Sequence, residues 1–81
     1  MANKPTLDEL EQDVLSIYSQ FNVRDGEALP SRNLYLKWDQ TNNRNEELIK
    51  ALESLIAKKF LEEKKGKDCF FLTKIGFDAM P

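Results

Sequence analysis

The chain of 81 residues contains no histidine, one cysteine and three glycines. Without imidazole, every mechanism that uses histidine as a base or a metal ligand is excluded. Cys69 alone makes neither an internal disulfide nor a cysteine-based zinc site, and a lone thiol suits a reducing compartment. Gly26, Gly66 and Gly76 are too scattered for a phosphate-cradling loop. The adjacent carboxylates Glu46-Glu47 and Glu62-Glu63 point in different directions on any regular element, so they are not a metal or glycosidase pair. No nucleophile has a base beside it. An enzyme is therefore not expected, and neither a cofactor nor a metal site is read. Long apolar runs are also missing: Cys69-Phe70-Phe71-Leu72 is the longest, against about 20 residues for a spanning helix. Residues 1–13 are too acidic and polar for a signal peptide. A cytoplasmic protein with no membrane contact is expected.

What is present suits one small domain spanning 1–81. A chain of this size buries only roughly 60% of its unfolded surface. It is 41% apolar and 32% charged, a globular composition, with eight aromatic side chains to seed a core. The net charge of −2 is unevenly placed. Residues 1–27 hold two basic and six acidic side chains, whereas residues 28–81 hold ten basic and eight acidic. Between Lys58 and Lys67 five lysines face only Glu62 and Glu63. Such asymmetry marks either a polyanion-binding end or a solvated surface with local charge variety.

Thr6-Leu7-Asp8-Glu9 has the form of a capping box. Leu7, Leu10, Val14, Ile17, Tyr18 and Phe21 then recur at helical spacing, predicting a first helix of about fifteen residues. Asn22 and Asp25-Gly26 end it. Ala28-Leu29-Pro30 is extended, because the residue before proline avoids helical angles. Ser31 reads as the N-cap of a second helix running from Arg32 to about Asp39, with Leu34, Tyr35 and Trp38 inward and Leu36 on the opposite face. Gln40-Thr41-Asn42-Asn43 is a polar turn. Asn43 or Asn45 then caps a third helix to about Lys59, with Leu48, Ile49, Leu52, Leu55 and Ile56 inward. From Phe60 the period changes. Phe60-Leu61-Glu62-Glu63 and Cys69-Phe70-Phe71-Leu72 flank a glycine-bearing polar turn and read as a β-hairpin. Thr73 caps a short last helix to Met80.

This order resembles the winged helix-turn-helix family. Leu52-Glu53-Ser54-Leu55-Ile56-Ala57-Lys58-Lys59-Phe60-Leu61-Glu62 is similar to a recognition helix running into a wing, with Phe60 where a glycine is often found. Phe70-Phe71-Leu72-Thr73-Lys74-Ile75-Gly76 resembles the aromatic-x-Leu-Thr-x-x-Gly that closes the wing in many bacterial and archaeal regulators. The resemblance covers roughly residues 7–80. It implies an α+β winged helix-turn-helix fold: three helices, a C-terminal β-hairpin wing and a small three-stranded sheet in which Ala28-Pro30 joins the hairpin, Pro30 at a ladder end.

It also implies a small transcriptional regulator with double-stranded DNA as partner, the third helix in the major groove and the wing on the backbone. The groove-facing residues would be Asn42, Asn43, Arg44, Lys50 and Ser54. Lys64, Lys65 and Lys67 on the wing, with Arg32 and Lys37 on the second helix, would contact phosphates. Each has a plainer reading. Asparagines at a helix start are caps, Glu46, Glu47 and Glu53 repel a phosphate-lined groove, and hairpin lysines keep an exposed edge soluble. The alternative function is a protein-interaction module that does not touch DNA. It would bind a partner or a second copy through Leu36, Phe71, Phe77 and Met80, if these are exposed together; the competing expectation for Phe77 is that it folds back onto the first helix.

Overall fold

The computed structural model describes residues 6–41 and 43–80. These residues form α1 (Leu7–Gln20), β1 (Ala28–Pro30), α2 (Ser31–Trp38), α3 (Asn45–Ala57), β2 (Leu61–Glu63), β3 (Cys69–Leu72) and α4 (Lys74–Asp78). The fold is α+β, with four helices among the described residues and a small antiparallel sheet of order β1-β3-β2.

The capping box at the start of α1 is complete. The Glu9 N–H donates to the Thr6 hydroxyl at 3.2 Å, and the Thr6 N–H donates to the Glu9 carboxylate at 3.1 Å. The buried face of α1 is Leu10, Glu11, Val14, Leu15, Ile17 and Tyr18. It is rotated from the expected stripe: Leu15 is core, while Leu7 and Phe21 at the two ends are exposed. On α3 the same shift occurs. Ala51 is fully buried and Ile49 is 46% exposed.

Ser31 does not cap α2. It is the first helical residue, after an extended Pro30, and its N–H donates to the Asp68 carbonyl at 3.0 Å. That helix start is satisfied by the hairpin instead of by its own side chain. Neither Asn43 nor Asn45 caps α3. The cap position is Arg44, whose N–H donates to the Glu47 carboxylate at 2.8 Å. α3 stops at Ala57, two residues earlier than expected, through a left-handed Lys59 with φ of 66°. The Phe60 N–H then reaches back to the Leu55 carbonyl at 2.9 Å, a pattern that closes many helix ends. The glycine-type conformation therefore falls on Lys59 and not on Phe60.

In the sheet, Ala28, Leu29 and Pro30 lie opposite Phe71, Phe70 and Cys69, and Leu61, Glu62 and Glu63 lie opposite Leu72, Phe71 and Phe70. Alternation puts Leu29, Phe70, Leu72 and Leu61 on one face, which closes over the helices. Pro30 sits at the ladder end, where its missing N–H costs nothing. Thr73 caps α4 by accepting from the Gly76 N–H at 3.0 Å, and α4 ends at Asp78, short of Met80.

One core joins all these elements. Its two largest fully buried side chains each anchor a junction through a polar end. The Trp38 indole N–H donates to the Arg44 carbonyl at 2.9 Å, fixing the α2–α3 turn. The Tyr18 hydroxyl donates to the Phe70 carbonyl at 2.9 Å, tying α1 to the central strand. Burial, with the nearby Cys69 adding to it, pushes the Tyr18 phenol well above its ordinary value, so it remains a donor.

Candidate functional site

The hairpin turn is built by Gly66, with φ of 81°, and by the Lys67 N–H donating to the Lys64 carbonyl at 3.1 Å. A left-handed φ at this position favours glycine. The turn leaves Lys64, Lys65 and Lys67 exposed. The Lys64 ammonium lies 4.4 Å from the centre of the Phe71 ring, a cation–π contact that holds one lysine against the sheet. Because the Ser31 N–H is bonded to the Asp68 carbonyl, the first turn of α2 abuts the base of this loop. Arg32, the next residue, is exposed, as is Asp68 of the loop. Lys37 is half-buried in a shallow cleft between α1 and α2, together with Asp13, Gln20 and Gln40.

The α3 residues divide. Asn42 lies outside the described residues. Asn43 is turned inward: its side-chain amide donates to the Asp13 carboxylate at 3.0 Å, tethering the α2–α3 turn to α1. Ser54 is also half-buried, and its hydroxyl donates to the Glu11 carboxylate. Arg44 and Lys50 are exposed. Lys50 shares the open face of α3 with Glu46, Ile49 and Glu53, all exposed. Glu46 and Glu53 lie four residues before and three after Lys50, the helical spacings at which side chains are neighbours.

Sequence patterning missed Glu11. It is only 4% exposed and sits between α1 and α3, accepting from Ser54 and from the Lys58 ammonium at 2.8 Å. Burial opposes its ionisation, but the hydrogen bonds from Lys58 and Ser54 outweigh that cost and hold its carboxyl below the ordinary value. The same bond raises the Lys58 pKa. The legible signal was spacing: Glu11 lies three residues before Val14, four before Leu15 and seven before Tyr18, and so falls on the buried face.

The apolar residues proposed as a shared patch are not exposed together. Leu36 is 56% exposed, Phe71 is half-buried under Lys64, and Phe77 and Met80 pack against the core. Arg24, just past α1, lies 5.4 Å from the centre of the Phe77 ring. Ile75, with Ile56 and Leu61, instead lines an open groove between the end of α3, β2 and α4.

Among the described residues no group of three or more acidic or thiol side chains is placed to hold a metal. No described helix is long and apolar enough to cross a membrane. Comparison of the chain with protein-family models, curated proteins and solved structures gave no match.

Proposed function

We propose that this chain is a winged helix-turn-helix domain that binds double-stranded DNA, with the β2–β3 hairpin as its wing, and that it serves as a small regulator of transcription. The observation that carries the reading is the hairpin turn, which leaves Lys64, Lys65 and Lys67 exposed, with the start of α2 held at its base by the Ser31–Asp68 hydrogen bond. Cations clustered on a protruding hairpin next to a helix start suit phosphate oxygens. The order of elements and the three-stranded sheet support the assignment to this fold.

Titration with mixed-sequence duplex at about 50 mM salt tests it. Binding that weakens steeply as salt is raised, and that disappears in the double variant K65E/K67E with its folding intact, is the expected result. A chain that binds no duplex even at low salt leaves the second reading, a protein-interaction module. That reading is favoured by the exposed Ile49 between Glu46 and Glu53 on α3 and by the exposed Ile75 at the groove.

A further inference from the structure

We propose that the groove between the end of α3, β2 and α4 is a self-association face that joins two copies of this chain across a two-fold axis. The inference does not rest on DNA binding.

β2 is an edge strand, so no neighbouring strand covers its outer side. The groove runs along that side. Its apolar lining is Ile56 on α3, Leu61 on β2 and Ile75 on α4, and of these Ile75 stands 55% exposed.

The charged residues along the groove are sorted by sign. The Thr73 hydroxyl donates to the Lys59 carbonyl at 2.7 Å, which brings Lys59 and Lys74 to the end where Leu61 lies opposite Leu72. Glu62 and Glu63 continue β2 towards the hairpin turn and mark the other end. All four are exposed, and none is in an ion pair among the described residues. Lys64, the next cation, is drawn instead to the Phe71 ring, on the face of the sheet away from the helices.

A surface that is apolar in the middle, positive at one end and negative at the other is complementary to itself. A two-fold contact uses the same patch on both copies and runs them in opposite directions. Lys59 and Lys74 of each copy then meet Glu62 and Glu63 of the other. Each Ile75 enters the opposing groove, whose volume of about 510 Å³ has room for it. A partner of one charge sign would instead meet like charge at one of the two ends. The face is small, so the contact belongs with weak, transient ones, half-formed at about 0.1 mM chain.

Sedimentation of the full chain without nucleic acid, from about 10 μM to about 1 mM, tests this. The mean mass should rise from one chain towards two. Ile75→Asp, at an exposed position, should remain monomeric throughout. K59E/K74E and E62K/E63K should each associate at least about 10-fold more weakly, since like charges then meet at both ends. Mixed in equal amounts, these two variants should pair about as readily as the parent chain, because opposite charges meet again at both ends. Adding Ile75→Asp to either should abolish that mixed dimer. A parent chain still monomeric at about 1 mM overturns the proposal and leaves the groove to a different partner. Association that Ile75→Asp and both reversals leave unchanged overturns it by placing the contact elsewhere. Reversed variants that fail to pair when mixed, although each keeps the parent's thermal transition, overturn the two-fold arrangement.

Discussion

The helical body and the hairpin draw on the same polar residue types and use them in opposite ways. In the body, polar side chains tie α1 to the rest of the fold: Asn43 to Asp13, and Ser54 and Lys58 to Glu11. In the hairpin, Glu62, Glu63, Lys65 and Lys67 are exposed, and of the charged side chains there Lys64 alone has a contact of note, with an aromatic ring. Buried ties fix the body as one cooperative unit. The hairpin is anchored by the inward side chains of Leu61 and Leu72 and by the Tyr18–Phe70 bond, and its outer charges are left free to meet something else.

This contrast is open to direct attack. The largest effect is expected at Trp38, wholly buried and bonded to the Arg44 carbonyl. Trp38→Ala should cost about 3–5 kcal/mol, leaving a cavity at the α2–α3 turn. Its thermal unfolding should stay a single transition at a much lower midpoint. Two separate transitions would show that the body is not the unit described. At the seam, Gly76→Ala should cost about 2 kcal/mol, because an added Cβ would lie 2.1 Å from the Phe60 carbonyl oxygen, a backbone atom that has little room to move. Amide exchange should then speed up across α4 and the hairpin while α1 and α3 stay protected. Equal acceleration everywhere would merge the two regions into one.

Glu11→Gln comes third, at about 1–2 kcal/mol, since Gln keeps the shape but loses the charge that Lys58 and Ser54 answer. The sign with pH follows from the lowered carboxyl. A group whose folded value is depressed adds stability that is complete above its ordinary value of 4.5 and fades as pH falls through the lower, folded value. Urea midpoints measured while lowering pH from about 5 should fall less steeply for Glu11→Gln than for the parent chain. Parallel curves would remove Glu11 as the source of that dependence.

Local rules were legible where one residue type has one physical use. Thr6 with Glu9, Thr73 before α4, and Pro30 at a strand end all appear as their chemistry requires. The hairpin was legible from the change of period at Phe60 and the glycine in its turn. The candidate site was less so, because the same polar residue serves an exposed face or a buried tie. Asn43 and Ser54 look identical to groove-facing residues until the position of α1 is known, and Asp13 and Glu11 on α1 are what claim them. Ser31 misled for a similar reason: the partner that satisfies its helix start, Asp68, is far along the chain and comes near only through β3.

The smallest expected effect has the opposite sign. Lys59 holds a φ of 66° to end α3, a conformation that is easy for glycine and costs other L-residues about 1 kcal/mol or more. Lys59 is exposed and makes no side-chain hydrogen bond among the described residues, so removing its side chain gives up little. Lys59→Gly relieves that strain but also gives the unfolded chain more freedom, which takes back part of the gain. The net should be a stabilisation of about 0.5 kcal/mol, read as a small rise in the urea midpoint with an unchanged slope. Lys59→Ala, which keeps a Cβ, should show no such rise. A rise with Ala as large as with Gly would place the benefit in removing a lysine from a crowded basic segment, and the distinction between a body shaped by backbone demands and a hairpin shaped by charge would then fail at the residue that joins them.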